Sequence, residues 1–217
     1  KLKHRLGVFL FLKRRFNMNK FKKTYIISSF EVDIKAKLRI HSLFNLLQDV
    51  ADLHAEEIGV GRTFCKENNL AWVGASYHLK INRLPNWNEK ITIETWPSGA
   101  TAASAIRDFK ITDEKGDVVI MATSQWVLLD AVRLRPVPIA KHLPHYIPID
   151  EHVLVFEAFK LTDIEGSETI TSFPVHYDDI DLNGHVNNAL YPTWVWDTLS
   201  DEFLTGHTLS DLKITFK

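Results

Sequence analysis

An α+β fold, one long helix wrapped by an antiparallel sheet, is the class the sequence predicts. Two observations carry it: a single strongly amphipathic helical segment, and four consecutive alternating segments separated by short turns. A parallel pair needs a long crossover, so turns this short imply antiparallel strands.

A strand is expected first, where Phe30, Val32 and Ile34 alternate with polar residues. In HSLFNLLQDVADLHAEEIG, Leu43, Leu46, Leu47 and Val50 then recur at helical spacing. Ser42 is the expected N-cap, and Gly59 and Gly61 mark the end. In AWVGASYHLKINR, Val73, Ala75, Tyr77, Leu79 and Ile81 share one strand face. Ile91 and Ile93 begin another strand, and Pro97-Ser98-Gly99 reads as the turn into a third, which ends near Ile111. Asp113 to Gly116 is a hairpin turn, and Val118 to Leu129 the fourth strand.

Four of the eight prolines (Pro136, Pro138, Pro144, Pro148) lie in 136–150, too dense for a helix interior or a central strand, so this is read as a linker. Beyond it the chain starts again. Ser29-Phe30-Glu31-Val32 is echoed by Ser172-Phe173-Pro174-Val175, and His41 by His185, each histidine followed by a helical segment. The expected organisation is an extension (1–20) outside the fold, a first unit (21–135), the linker (136–150) and a second unit (151–217). The second unit ends short of a full sheet, as though cut off at Lys217. In the extension, six Lys and Arg surround the apolar run Leu6 to Leu12, too short to cross a bilayer, which takes about 20 residues. The KRR that follows it is unlike a cleavage site, and Met18 is the expected start.

Composition narrows the function. Lys and Arg number 26 against 27 Asp and Glu, for a net charge of −1, so nothing points to nucleic acid. Cys65 is the only cysteine, which excludes a disulfide scaffold and a cysteine-built zinc site and suits a reducing, cytoplasmic setting. No metal or cofactor is expected.

The densest polar stretch is VHYDDIDLNGHVNNALYPTWVWD, 175–197. Pro192 fits only a first helical turn, so a helix should begin near Asn188, with Asn183, Gly184 and His185 in the loop that enters it. Taken alone, the stretch reads as a turn plus a cap, with Asn188 as the cap. The Asp-x-Asn-Gly-His order sets a functional reading beside it: imidazole titrates near neutrality, and backbone N–H groups at a helix start can hold an oxyanion.

Asp179-Ile180-Asp181-x-Asn183-x-His185-Val186-Asn187-Asn188-x-x-Tyr191-x-x-Trp194 resembles the signature of the acyl-acyl carrier protein thioesterases, tandem hot-dog enzymes. NLLQDVADLHAEEIGVG (45–61), NLAWVGASYHLKINRLPNWNEKITIETWPSG (69–99), RDFKI (107–111) and SQWVLLDAVRLRPVPI (124–139) resemble the same family. The resemblance implies hydrolysis of fatty acyl-acyl carrier protein, ending chain elongation in fatty acid biosynthesis. It assigns Asp181, Asn183 and His185 to catalysis and expects a water-activating glutamate a residue or two beyond Lys217. Cys65 matches no nucleophile position. His41 lacks the preceding Asp-x-Asn, so the first unit is expected to be non-catalytic.

The implied acyl tunnel lies in the first unit, with Leu46, Leu47, Val50, Trp72 and Ala75 as candidate substrate-binding residues; a core role is the competing reading for each. His54, His78 and Arg107 read as surface or satisfied groups. The implied partner is an acidic acyl carrier protein, for which Arg133, Arg135, Lys141 and His142 are candidate contacts. Two units in one chain can pair with each other, and a homodimer is also open. An acyl-CoA thioesterase of the same fold and a non-catalytic acyl-binding hot-dog protein are the alternatives.

Overall fold

The amphipathic segment forms α1, Ile40–Glu57. Its buried residues Leu43, Phe44, Leu47, Val50, Ala51 and His54 follow the three-to-four spacing of one helix face. Leu43, Leu47 and Val50 retain no exposed surface. Each such aliphatic side chain contributes about 1.5–3 kcal/mol on full burial, so this face determines where the helix sits. The computed structural model describes residues 20–155 and 171–216. The basic N-terminal run with Met18, and residues 156–170 of the second unit, lie outside the described residues.

Ser42 is not the N-cap. The helix starts a turn earlier at Arg39, whose carbonyl accepts from the Leu43 N–H (2.9 Å), and Ser42 is a small buried residue in the first turn. The strand expected over Phe30–Ile34 is likewise absent. Ser29–Glu31 is a 3-10 turn, and the Asp33 carboxylate accepts from the N–H groups of Lys35 (2.8 Å) and Lys37 (2.9 Å). Phe30 and Ile34 therefore point into solvent, 77% and 97% exposed. The first strand is β1, Phe21–Ile26. Its alternation is masked by Lys23, which lies on the half-buried side and reaches Asp49 of α1 at 2.6 Å.

The remaining elements of the first unit are α2 (Arg62–Glu67), β2 (Leu70–Ile81), β3 (Lys90–Ala100), β4 (Ser104–Asp113) and β5 (Val118–Asp130). After them come β6 (Arg135–Pro136) and α3 (Ile139–His142). The second unit supplies α4 (Leu190–Asp197), α5 (Asp201–Gly206) and β7 (Asp211–Thr215). All pairings are antiparallel, in the order β1-β3-β4-β5-β2-β7, with β6 against β5. This is the expected α+β arrangement, but β2 and β3, consecutive in sequence, are not neighbours. Residues 82–89 carry the chain past two intervening strands, and β2 pairs with β5 instead. Pro97-Ser98-Gly99 is not a turn either. It lies inside β3 as a bulge between Pro97 and Gly99, which is how an interior strand accommodates proline.

Residues 136–150 lie across the first unit. Val137, Ile139, Leu143 and Tyr146 pack on Ile58, Val60, Cys65, Leu70 and Leu128 as a second apolar cluster. The Ile149 N–H donates to the Pro97 carbonyl (2.8 Å), the Trp96 indole N–H to the Glu151 carbonyl (2.7 Å), and the Val153 N–H to the buried Asp108 carboxylate (2.9 Å).

The 82–89 connection is held by Arg83, which donates to both carboxylate oxygens of Glu89 (3.0 and 2.8 Å) and to Asp113 (2.8 Å). The Arg83 hydrogen bond holds Glu89 below the ordinary carboxylate value. A lowered folded pKa stabilises the fold above the unfolded value, about 4.3, and that contribution disappears as pH falls through the folded value. We predict that Arg83→Ala lowers unfolding free energy by about 1 kcal/mol or less near neutrality. The wild-type advantage should disappear only as pH falls through the lowered pKa values of both Glu89 and Asp113, as measured by urea denaturation across pH.

Candidate active site

The Asp-x-Asn-Gly-His stretch forms a tight turn between Ile180 and Val186, which face each other in an isolated antiparallel bridge. The Asp181 N–H donates to the His185 carbonyl (2.8 Å) and the Gly184 N–H to the Asp181 carbonyl (3.0 Å). Gly184 has φ +76°, a left-handed conformation that disfavours a side chain. The Asp181 carboxylate organises the turn from within: Oδ1 accepts from the N–H groups of Asn183 (2.7 Å) and His185 (3.2 Å), and Oδ2 faces Asn183 Nδ2 at 3.4 Å. The backbone thus gathers the three predicted catalytic residues. The side chains of Asn183 and His185 stay exposed, and Asp181 is half-buried.

Asn188 is not the cap of α4: the residue before the helix is Ala189, which has no capping side chain, and the preceding turn is closed by Asn187. Asn187 Oδ1 accepts from the Ala189 N–H (2.9 Å), and the helix starts at Leu190. Asn187 also donates through Nδ2 to Asn45 Oδ1 of α1 (3.3 Å), while Asn45 Nδ2 lies 3.0 Å from His41 Nε2. His41, the counterpart of His185 in the repeat, is thereby linked to the turn through two amides. Asn188 is free to face the sheet. A Cβ on Gly74 of β2 would lie 2.9 Å from Asn188 Nδ2 and 3.6 Å from the Trp126 ring. The absence of a side chain at Gly74 lets the loop and that indole approach each other.

Trp126 also lines a cavity of about 50 Å³ between α1 and the sheet. Its walls are Ala51, Asp52 and Ala55 of α1, Trp72, Arg107 and Tyr146, among others. The volume holds a few water molecules, well below the roughly 300–1,000 Å³ of a site that swallows a whole ligand. Of the five candidate substrate-binding residues, Trp72 lines this cavity. Leu46, Leu47 and Val50 pack in the main core, because the cavity lies along the neighbouring stripe of α1. Ala75 sits at the bulge between Gly74 and Ser76, where its carbonyl accepts from the Phe216 N–H (2.9 Å).

Arg107 is a buried cation on the cavity wall. Its Nη1 donates to His54 Nδ1 (2.9 Å) and Thr95 Oγ1 (3.2 Å). A guanidinium cannot accept, so His54 carries its proton on Nε2 and is neutral. Burial pulls the Arg107 pKa down, opposed by Tyr146, Tyr77 and Asp52, and the same burial pushes the Tyr146 phenol up to about 12. His54 and Arg107 are thus satisfied groups, as expected. His78 lies 3.2 Å from Asp211 of β7. The Cys65 thiol is buried, with its pKa raised to about 11 by burial, so it stays protonated at neutral pH.

The contacts of Arg62 were not foreseen. Arg62, the first residue of α2, donates through Nη1 to Asn183 Oδ1 (3.0 Å) and through Nη2 to the Leu182 carbonyl (2.7 Å). No local pattern marks it, since the contact joins residues far apart in the chain. Arg107 did carry a signal: it falls on the same strand face as Ala105, Phe109 and Ile111, so period two turns it inward.

A family model described as the acyl-ACP thioesterase N-terminal domain matches residues 18–147, and one described as the C-terminal domain matches 163–217. The oleoyl-acyl carrier protein thioesterase of Coriandrum sativum is 28% identical over 216 residues, covering 91% of this chain and 58% of that protein. The palmitoyl-acyl carrier protein thioesterase of Gossypium hirsutum is 27% identical over 212 residues, covering 91% and 51%. The chain therefore spans about half the length of the curated relatives it matches. Among solved structures, the acyl-ACP thioesterase from Bacteroides thetaiotaomicron superposes with TM-score 0.82 at 22% identity, covering 91% of this chain and 81% of that one. The 12:0-ACP thioesterase from Umbellularia californica gives 0.77 at 24%, covering 91% and 82%. These likenesses show the same hot-dog fold.

Arg107→Ala removes the hydrogen bonds from Nη1 to His54 Nδ1 and Thr95 Oγ1. Hydrogen bonds made by a charged group contribute about 1.5–3 kcal/mol, so denaturant unfolding should show a loss of about that order.

Proposed function

Because the chain belongs to the acyl-ACP thioesterase family, we propose that the whole protein hydrolyses the thioester of a fatty acyl-acyl carrier protein, releasing free fatty acid. The observation that carries this reading is the turn 181–185, which gathers an aspartate, an asparagine and a histidine and is tied to the first unit beside a cavity-lining indole.

In this reading water attacks the acyl carbonyl, the carbonyl oxygen becomes an oxyanion, and the phosphopantetheine thiolate leaves. His185 takes the proton from water and returns it to the departing sulfur. Asp181 holds the backbone N–H of His185 and so fixes where the imidazole is presented. Asn183 supplies an amide N–H toward the developing oxyanion. The resemblance also implies a glutamate after the last strand. The chain leaves β7 with the Phe216 N–H on the Ala75 carbonyl, heading toward Gly74, over which Asn188 lies.

The acyl chain enters the first unit between α1 and the sheet. Trp72, Trp126 and Tyr146 are the large walls of the cavity, and they have to move apart to admit a long chain. Arg133, Arg135 and Lys141 are exposed at and just beyond the end of this unit, which suits an acidic carrier protein. The division into an acyl-binding first unit (21–135), a connecting segment and a catalytic second unit (151–217) belongs to the same proposal.

The test is hydrolysis by the full natural chain of matched acyl-ACP and acyl-CoA thioesters over a range of chain lengths. Turnover on acyl-ACP is expected. Turnover on CoA alone selects the acyl-CoA thioesterase, and tight acyl binding without turnover selects the binding protein. His185→Ala should lower kcat by about 10²–10⁴-fold, and an unchanged kcat removes His185 from the mechanism. Trp72→Ala should shift the preferred acyl length upward in the same panel, by enlarging the cavity.

A further inference from the structure

We propose that Arg62 is a positioning residue that sets the direction of the Asn183 amide, turning its N–H outward as the donor to the reacting carbonyl oxygen. This rests on the thioesterase reading. The geometry is a two-pronged grip by one guanidinium, with Nη1 on Asn183 Oδ1 at 3.0 Å and Nη2 on the Leu182 carbonyl at 2.7 Å. A guanidinium has donors only, so the amide atom facing it has to be oxygen. The Asn183 NH₂ is then turned away from Arg62. One of its hydrogens faces Asp181 Oδ2 at 3.4 Å, and the other remains for substrate. Without Arg62, an exposed asparagine can rotate its amide by half a turn and present an acceptor where the oxyanion forms, which repels rather than stabilises it.

Arg62 is well placed to do this from the opposite unit. The start of α2 is fixed, because the Thr63 N–H donates to the Glu56 carboxylate (2.8 Å) and Gly61 lies directly against the Glu56 backbone. The Leu182 prong holds the turn's backbone while the Asn183 prong orients its side chain, so neither is free to move alone. A lysine cannot reproduce this, since its compact ammonium lacks the planar fork that spans two acceptors. Asn187 to Asn45 is a parallel tether on the far side of the turn. It makes no contact with the Asn183 amide, whose oxygen is held by Arg62 at 3.0 Å while Asp181 faces its nitrogen at the longer 3.4 Å.

The experiment compares wild type, Arg62→Ala, Arg62→Lys and Lys66→Ala in the full chain, with kcat and KM on an acyl-ACP and the ¹⁵N side-chain amide signals of Asn183. Arg62→Ala should lower kcat by about 10–100-fold with KM within about twofold. Arg62→Lys should recover only part of it, and guanidinium salt added to Arg62→Ala should recover some. The Asn183 amide signals should move toward those of a freely rotating asparagine in Arg62→Ala and stay in place in Lys66→Ala. An unchanged kcat in Arg62→Ala overturns the proposal. So does a loss confined to KM and shared with Lys66→Ala, which marks a general charge effect on carrier-protein docking. If wild type hydrolyses no thioester, the thioesterase reading fails, and the Asn183 signals alone then decide whether Arg62 holds the amide: displaced in Arg62→Ala supports the grip, unmoved overturns it.

Discussion

Burial of the apolar face of α1 against the sheet is the constraint from which the other features follow. With Leu43, Leu47 and Val50 fully enclosed, the helix can neither roll nor slide without exposing aliphatic surface at about 25 cal/mol per Å². Its remaining faces are then assigned. Ala51, Asp52 and Ala55 face the cavity, Asp49 receives Lys23 and Tyr25 of β1, and Asn45 meets the loop of the second unit. A helix held this firmly serves as a reference frame for groups on loops, which is what a loop-borne site requires.

The site itself is made by hydrogen bonds rather than by burial. One carboxylate, Asp181, folds the turn from inside, and one guanidinium, Arg62, holds it from outside. Gly184 and Gly74 have separate roles: the first permits a backbone conformation, the second permits an approach between Asn188 and the sheet. Near the end of the described residues, β7 extends the sheet beside β2.

The cavity is more polar than its position between helix and sheet suggests. Arg107 is kept there by His54 and Thr95, and His54 in turn stacks on Phe21 with ring centroids 5.6 Å apart. Through Nη1 this buried cation also fixes the tautomer of a buried histidine.

Sequence alone determined the α+β class, the position of α1, the existence of the four strands β2 to β5 though not the run of β3 through Pro97-Ser98-Gly99, and the family, because periodicity and motif order are local properties of the chain. It misread Phe30–Ile34, where alternation occurs in a turn with no partner strand to cover it, and it passed over β1, whose lysines conceal a strand that becomes one only against β3. Tertiary structure decided which strands are neighbours, separating β2 from β3. It also decided which face of α1 lines the cavity, so that Trp72 stands at the cavity while Leu46, Leu47 and Val50 fill the core. Arg62 belongs to this second kind: its two acceptors lie some 120 positions away in the chain, and a contact at that separation exists only once the core has brought the two segments together.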